Sequence, residues 1–284
     1  MHLGRLVFSM LPLFLVSCRS ENSGLGEKQK EEVKQLVKEA VSSLIEEEPE
    51  LFVKAVDLGM QKQRQQAAKA VESAATKAQS QLWSSPLVIG NKDAKLKLAV
   101  FFDPLDPISQ KFRDDVVRPI VKERDDVGFF FIPVSVFTGE DDSGKEGAIP
   151  LSLPAAKAIV AACSQDTSKA IVLWEKLSSG AKKEITPTLI QKYAKEVGLD
   201  PEKIEKAGDA AQKALIENGK LAVQINIPAQ LPVIFVRHPE GTLEIIPAFV
   251  KDKMILVLDA VLNGKPWAQV ITASMQQEQE KAGD

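Results

Sequence analysis

Asp106 and Ser109, two short polar side chains, stand where a helix should begin. The run Phe101-Phe102-Asp103-Pro104-Leu105-Asp106-Pro107-Ile108-Ser109-Gln110-Lys111-Phe112 passes from an apolar strand (Leu96 to Phe102) through a turn into that helix. Asp is a favoured N-cap and Pro a favoured first helical residue, so Asp106-Pro107 marks the start. Free amides and the macrodipole make such a point attractive to an anion. A carboxylate and a hydroxyl placed there suggest acid–base or nucleophilic chemistry. No histidine or lysine is fixed by the motif to activate Ser109, and helix capping is the stronger reading.

Other reactive side chains are scarce. The chain has 284 residues with only two cysteines and two histidines. His2 lies in the N-terminal segment and His238 stands alone in a turn. No His/Cys cluster has metal-ligand spacing, and neither a metal nor another cofactor is expected. Cys163 closes the apolar run Ala155 to Cys163, where a free cysteine behaves as a small buried hydrophobe. Reactive thiols need exposure and an electropositive setting, which this run does not offer. A net charge of -3 and a pI near 5.7, without a cluster of Lys and Arg interleaved with aromatics, argue against nucleic acid as a partner.

The segments that carry these residues differ in material. Residues 1–18 read as a signal segment: Arg5, an apolar run from Leu6 to Val16, then Ser17 before Cys18. That run is too short to span a bilayer, where about twenty apolar residues are needed. Leu15-Val16-Ser17-Cys18 resembles the bacterial lipobox, which implies lipidation of Cys18 and a membrane anchor. Residues 19–26 read as a tether. Val33, Leu36, Val37, Ala40, Leu44 and Ile45 then mark an amphipathic helix that Pro49 breaks. Val56, Met60, Gln63, Ala67, Ala70 and Ala74 continue at alternating steps of four and three, a heptad-like stripe. The expectation is an N-terminal helical arm, 27–84, that self-associates through residues 27–82.

Beyond the arm, Ser85-Pro86, Gly90 and Asp93-Ala94, followed by the strand and Phe101-Phe102-Asp103, resemble the opening of the DsbA-like thioredoxin family. The match continues through the turn without a gap. The family's first active-site cysteine falls on Asp106, its proline on Pro107, its second cysteine on Ser109 and the following aromatic on Phe112. Gln230-Leu231-Pro232-Val233-Ile234-Phe235-Val236 is similar to the family strand whose proline is cis and lies beside the active site. The family's glycine and threonine there are Gln230 and Leu231 here. Asp103 matches an acidic family position and, with no thiol to tune, is read as structural. Ala155-Ala156, Trp174, Leu177 and Val197 to Asp200 resemble the inserted helical subdomain.

The resemblance implies an α/β, thioredoxin-like fold over 85–268 with a helical insertion at about 152–217, and a polar tail at 269–284. Its strands are expected at Val127 to Phe137, Pro232 to Val236 and Leu243 to Val250. One helix should run from Pro107 to about Glu123, and a closing helix from Asp252 to Leu262. Together with the lipobox-like segment ending in Cys18, the expectation is an exported lipoprotein of the bacterial cell envelope, facing periplasm or cell surface. With both cysteines absent, thiol–disulfide exchange is not expected, because a carboxylate cannot attack a disulfide sulfur. What remains is binding of extended segments of envelope or secreted proteins, in a groove marked by Asp106, Ile108, Leu231 and Pro232. Two rival readings stand beside it. The protein still acts in envelope disulfide metabolism through Cys163 or a partner's thiols, or the domain only presents the N-terminal helices.

Overall fold

The computed structural model describes residues 27–135, 152–179 and 185–282. The signal segment with Cys18, the tether at 19–26 and the loop Gly139–Gly144 lie outside the described residues. The chain divides into two units, Met1–Arg64 and Gln65–Asp284. In the first, α1 (Glu27–Glu47) stops ahead of Pro49, and α2 (Pro49–Lys77) begins there. Its apolar residues, among them Leu36, Val37, Leu44, Phe52 and Val56, are exposed.

The second unit is built on a five-stranded sheet in the order β1-β3-β2-β4-β5. Strands β1 (Val88–Gly90), β2 (Leu96–Phe102), β3 (Val127–Pro133), β4 (Val233–Arg237) and β5 (Leu243–Ile246) supply it. Only β2 and β3 run parallel; the other three pairings are antiparallel. Apart from Lys97, every residue of β2 and β3 is buried, which is why both read as near-continuous apolar runs rather than alternating ones. β1 and β3 approach closely at Gly128, where a Cβ would lie 2.1 Å from the Asn91 carbonyl oxygen.

Side chains alternate across a strand, so each sheet face collects its own core. Leu96, Leu98, Val100, Phe102, Phe129 and Phe131 face one cluster. It is closed by α4 (Pro107–Phe112), a π-helical turn (Arg113–Val117), α5 (Arg118–Glu123) and the insertion helices. Those are α6 (Leu153–Cys163), α7 (Thr167–Ser179), α8 (Pro187–Glu196) and α9 (Pro201–Lys206), with α11 (Lys251–Leu262) on the same side. Ala99, Phe101, Ile132, Val233 and Phe235 face the second cluster. There the covers are the end of α2, α3 (Gln79–Leu82) and α10 (Gly208–Ile225). α10 ends where Asn226 turns left-handed at φ 59°, a conformation Asn tolerates, and the chain then enters the segment before β4.

Several expectations need correction. Val71, Ala75, Ala78 and Leu82 are buried in the second cluster, so the end of the expected arm is part of the domain. The expected stripe through Ala67 and Ala70 is exposed, and the buried face lies one residue on. Positions 71, 75, 78 and 82 share the same spacing but carry the larger Val and Leu, and the sheet selects them. Residues expected as a polar tail instead form α12 (Trp267–Ala282), which lies against α11 and buries Ile271. The helix expected from Pro107 to about Glu123 widens into the π turn just before Pro119. Proline donates no N–H and crowds the carbonyl four residues back, and a wider turn accommodates both. β5 stops at Ile246 because Pro247 follows. No helix among the described residues is long and apolar enough to cross a membrane.

Candidate functional site

The site is a turn at the C-terminal end of β2, fixed from below before any groove side chain is placed. Asp103 is fully buried and serves as its anchor. Its Oδ1 accepts the Leu105 amide at 2.9 Å, its Oδ2 accepts the Ser152 hydroxyl at 2.7 Å, and its carbonyl accepts the Asp106 amide at 3.1 Å. Trp174 Nε1 donates to the Pro104 carbonyl at 3.0 Å, and Gln110 Nε2 to the Leu105 carbonyl at 3.0 Å. Every backbone carbonyl from Asp103 to Leu105 therefore has a donor, as buried polar groups require.

Asp106 caps the helix as its sequence position suggests. Its Oδ2 accepts both the Ser109 amide and the Ser109 hydroxyl, each at 2.7 Å. Short bonds to an ionised acceptor are the stronger kind. Ser109 is 1% exposed, and its proton is committed to the cap. His238, the one histidine among the described residues, pairs with Glu244 at 2.8 Å in the β4–β5 hairpin. Ser109 is thus a buried second element of an N-cap and not an activated nucleophile. Pro107 and Ile108 are exposed beside it.

Beneath the turn lies Arg113, which sequence reasoning missed. Its guanidinium stacks 4.2 Å above the Trp174 ring and makes two 2.7 Å bonds to Asp114, while 2% of the residue is exposed. Nη1 is buried without a partner. A desolvated cation–π contact contributes about 2 kcal/mol, and an unmet buried donor costs about 1–3 kcal/mol. The two are of similar size and opposite sign, and the Asp114 fork pairs the remaining charge. Trp174 also packs on Phe102 and Phe131, with ring centroids 4.4 and 5.3 Å away, so one insertion residue holds strand, turn and helix together. The sole sign of Arg113 in the sequence is a charge on the buried face of an amphipathic helix.

Across the sheet, β4 begins at Val233 opposite Phe101, and Pro232 follows the cis Leu231-Pro232 bond one step further on. Of the four expected groove residues, Ile108 is exposed beside the half-buried Asp106, and Pro232 is half-buried. Leu231 is buried in the second cluster, on the opposite sheet face from Leu105 and Phe112. It borders a cavity of about 500 Å³ whose lining, including Val134, Leu215, Ile227 and Pro228, carries no charge. Ser135 Oγ, also in that lining, is buried without a partner.

Cys163 ends α6, remote from this turn in sequence, as a free cysteine. Burial pushes its thiol up to about 12. It is a thiol and not a thiolate at neutral pH, which agrees with the small-hydrophobe reading. Among the described residues, no group of three or more His, Cys, Asp or Glu is arranged to hold a metal ion.

If the Asp106 carboxylate is the cap and nothing more, Asp106→Ala should lower stability by about 1–2 kcal/mol, the loss typical of an N-cap. Denaturant unfolding measures it. Asp106→Asn should recover most of that loss.

No protein-family model matches the chain, and no curated protein does. Solved structures do match. BcfH from Salmonella enterica Typhimurium is 21% identical, with a TM-score of 0.61 over 79% of this chain and 93% of that one. A linker-deleted variant of Proteus mirabilis ScsC is 21% identical, with a TM-score of 0.54 over 86% of this chain and 100% of that one. The thiol-disulfide exchange protein alpha-DsbA2 of Wolbachia pipientis is 14% identical, with a TM-score of 0.53 over 68% of this chain and 96% of that one. At such identities the likeness is one of fold: the chain has a DsbA-like thioredoxin fold.

Proposed function

We propose that this protein is a redox-inactive, DsbA-like envelope lipoprotein that binds extended segments of other proteins. The observation that carries the reading is the Asp106–Ser109 cap. Thiol–disulfide exchange begins with a thiolate at the helix start. Here that place holds a carboxylate already satisfied by an amide and a hydroxyl. The turn around it is rigidly held, and exposed Ile108 and half-buried Pro232 are left to meet a ligand. The uncharged cavity beside Leu231 gives the same end of the sheet further apolar surface.

Localisation rests on the sequence alone. The apolar run before Cys18 supports export, lipidation and attachment to a membrane of the bacterial envelope. The arm supports self-association: Val33, Leu36, Val37, Val41, Leu44 and Ile45 are exposed along one helix, and Leu51, Phe52, Val53 and Val56 along the next. Exposed apolar stripes of this kind are ordinarily covered by partners.

The rival reading, activity in disulfide metabolism, is separated by insulin reduction. The mature protein and its Cys163→Ser variant should both be inactive with dithiothreitol as reductant. Turnover by the native chain that vanishes in the variant would establish the rival. For self-association, deleting residues 19–64 should convert an oligomer into a folded monomer in light scattering. Deleting 19–82 should instead unfold the domain, since it removes Val71, Ala75, Ala78 and Leu82 from the core. A monomeric full-length chain at high concentration would end the oligomer reading. For the anchor, Cys18→Ala should move the protein out of the membrane fraction or leave its precursor uncleaved. An unmodified native mature chain, seen by intact mass, would refute lipidation.

A further inference from the structure

The last turns of α2 serve two purposes. Val71 and Ala75 point into the second core. Glu72 and Thr76, one position further round, reach the edge strand β5. Thr76 Oγ1 accepts the Leu243 amide at 3.1 Å, and Glu72 Oε1 accepts the Ile245 amide at 3.1 Å. β5 pairs with β4 along its other side, so these two amides belong to the open edge of the sheet. The spacing explains the fit. Four helical residues rise about 6 Å, and two strand residues about 6.7 Å. Side chains at i and i+4 therefore stand where the carbonyls of a neighbouring strand would stand. A helix face closes an edge that would otherwise invite strand pairing.

One of the two acceptors is ionisable, and it does not sit alone. Glu244 faces Glu72 from β5, His238 from the end of β4, and Lys69 from its own helix. Lys77 and Glu240 line the same open pocket. His238 Nε2 lies 2.8 Å from Glu244 Oε2, and Glu240 accepts the Thr242 hydroxyl. Burial holds the Glu72 carboxyl above the ordinary glutamate value. The Ile245 amide, Lys69 and His238 pull it down, and Glu244 pushes it up.

We propose that Glu72 makes the docking of α2 on β5 pH-responsive, so that the helix grips the sheet edge more firmly as the solution becomes more acidic. Ionised, Glu72 accepts the Ile245 amide while facing the Glu244 carboxylate in a partly dry site. Protonated, it still accepts that amide through its carbonyl oxygen, and the repulsion is gone. A carboxyl held above its ordinary value binds its proton more firmly docked than released. Docking is therefore strongest at and below the ordinary glutamate range and weakens as pH rises through the docked-state value.

Amide hydrogen exchange at Leu243 and Ile245, corrected for its intrinsic pH dependence, tests this on the full chain. Protection of both amides should fall several-fold from weakly acidic to weakly alkaline solution. Glu72→Gln keeps the acceptor and removes the titration, so it should hold the acid-level protection throughout. Glu244→Gln should give a shallower fall than the native chain, and Thr76→Val should weaken Leu243 protection at every pH. A native profile that is flat, or a Glu72→Gln profile that falls in parallel with it, overturns the proposal. So does loss of Ile245 protection in Glu72→Gln with the Glu244→Gln profile unchanged from native.

Discussion

Two central strands buried on both faces set the terms for everything else in the domain. Because β2 and β3 offer no solvated face, each side of the sheet has to be roofed by helices. One roof comes from the segment after β2 and from the insertion. The other needs α10 and the end of α2, since the helices following β2 and β3 are committed to the first face. Burying a Leu or Val side chain is worth about 1.5–3 kcal/mol, whereas an exposed helical ion pair gives about 0.2–0.5 kcal/mol. Val71 and Leu82 therefore decide where this length of helix lies, and the charged residues between them adapt.

The same sheet determines where the site can be. β2 ends beside the start of β4, so its final turn and the cis proline share one end of the sheet. Asp103 fixes the turn through three bonds, and Trp174 ties it to the insertion. This geometry is over-determined by groups that perform no chemistry. A capping carboxylate satisfies the helix start without any thiol.

Much of this was legible in the sequence. The strand–turn–helix, the Asp106 cap, the partly buried Cys163 and the hairpin all follow from local rules of propensity and period. Asp103 read as structural, and its partners make it so. Arg113 was not legible, because its stability depends on an aromatic ring some sixty positions away that no local pattern couples to it. Leu231 was expected to face the groove and is buried on the opposite sheet face, a distinction set by strand alternation and loop geometry together. The end of the arm was misassigned for a related reason. Two stripes of the same period run side by side along α2, and only the sheet beneath identifies which of them is buried.

Disulfide exchange asks more of a helix start than the presence of two sulfur atoms. Exchange needs a thiolate, a donor environment that lowers its pKa, and access for a second sulfur. The helix start retains the lowering environment and fills it with a carboxylate. The only described thiol, at Cys163, is held by burial in the protonated form and lies in a helix that offers no such environment. The described sulfur and the anion-favouring helix start thus belong to different elements, α6 and α4. What the turn can still do is hold its shape. Ile108 is exposed at that turn, and Pro232 is half-buried at the same end of the sheet.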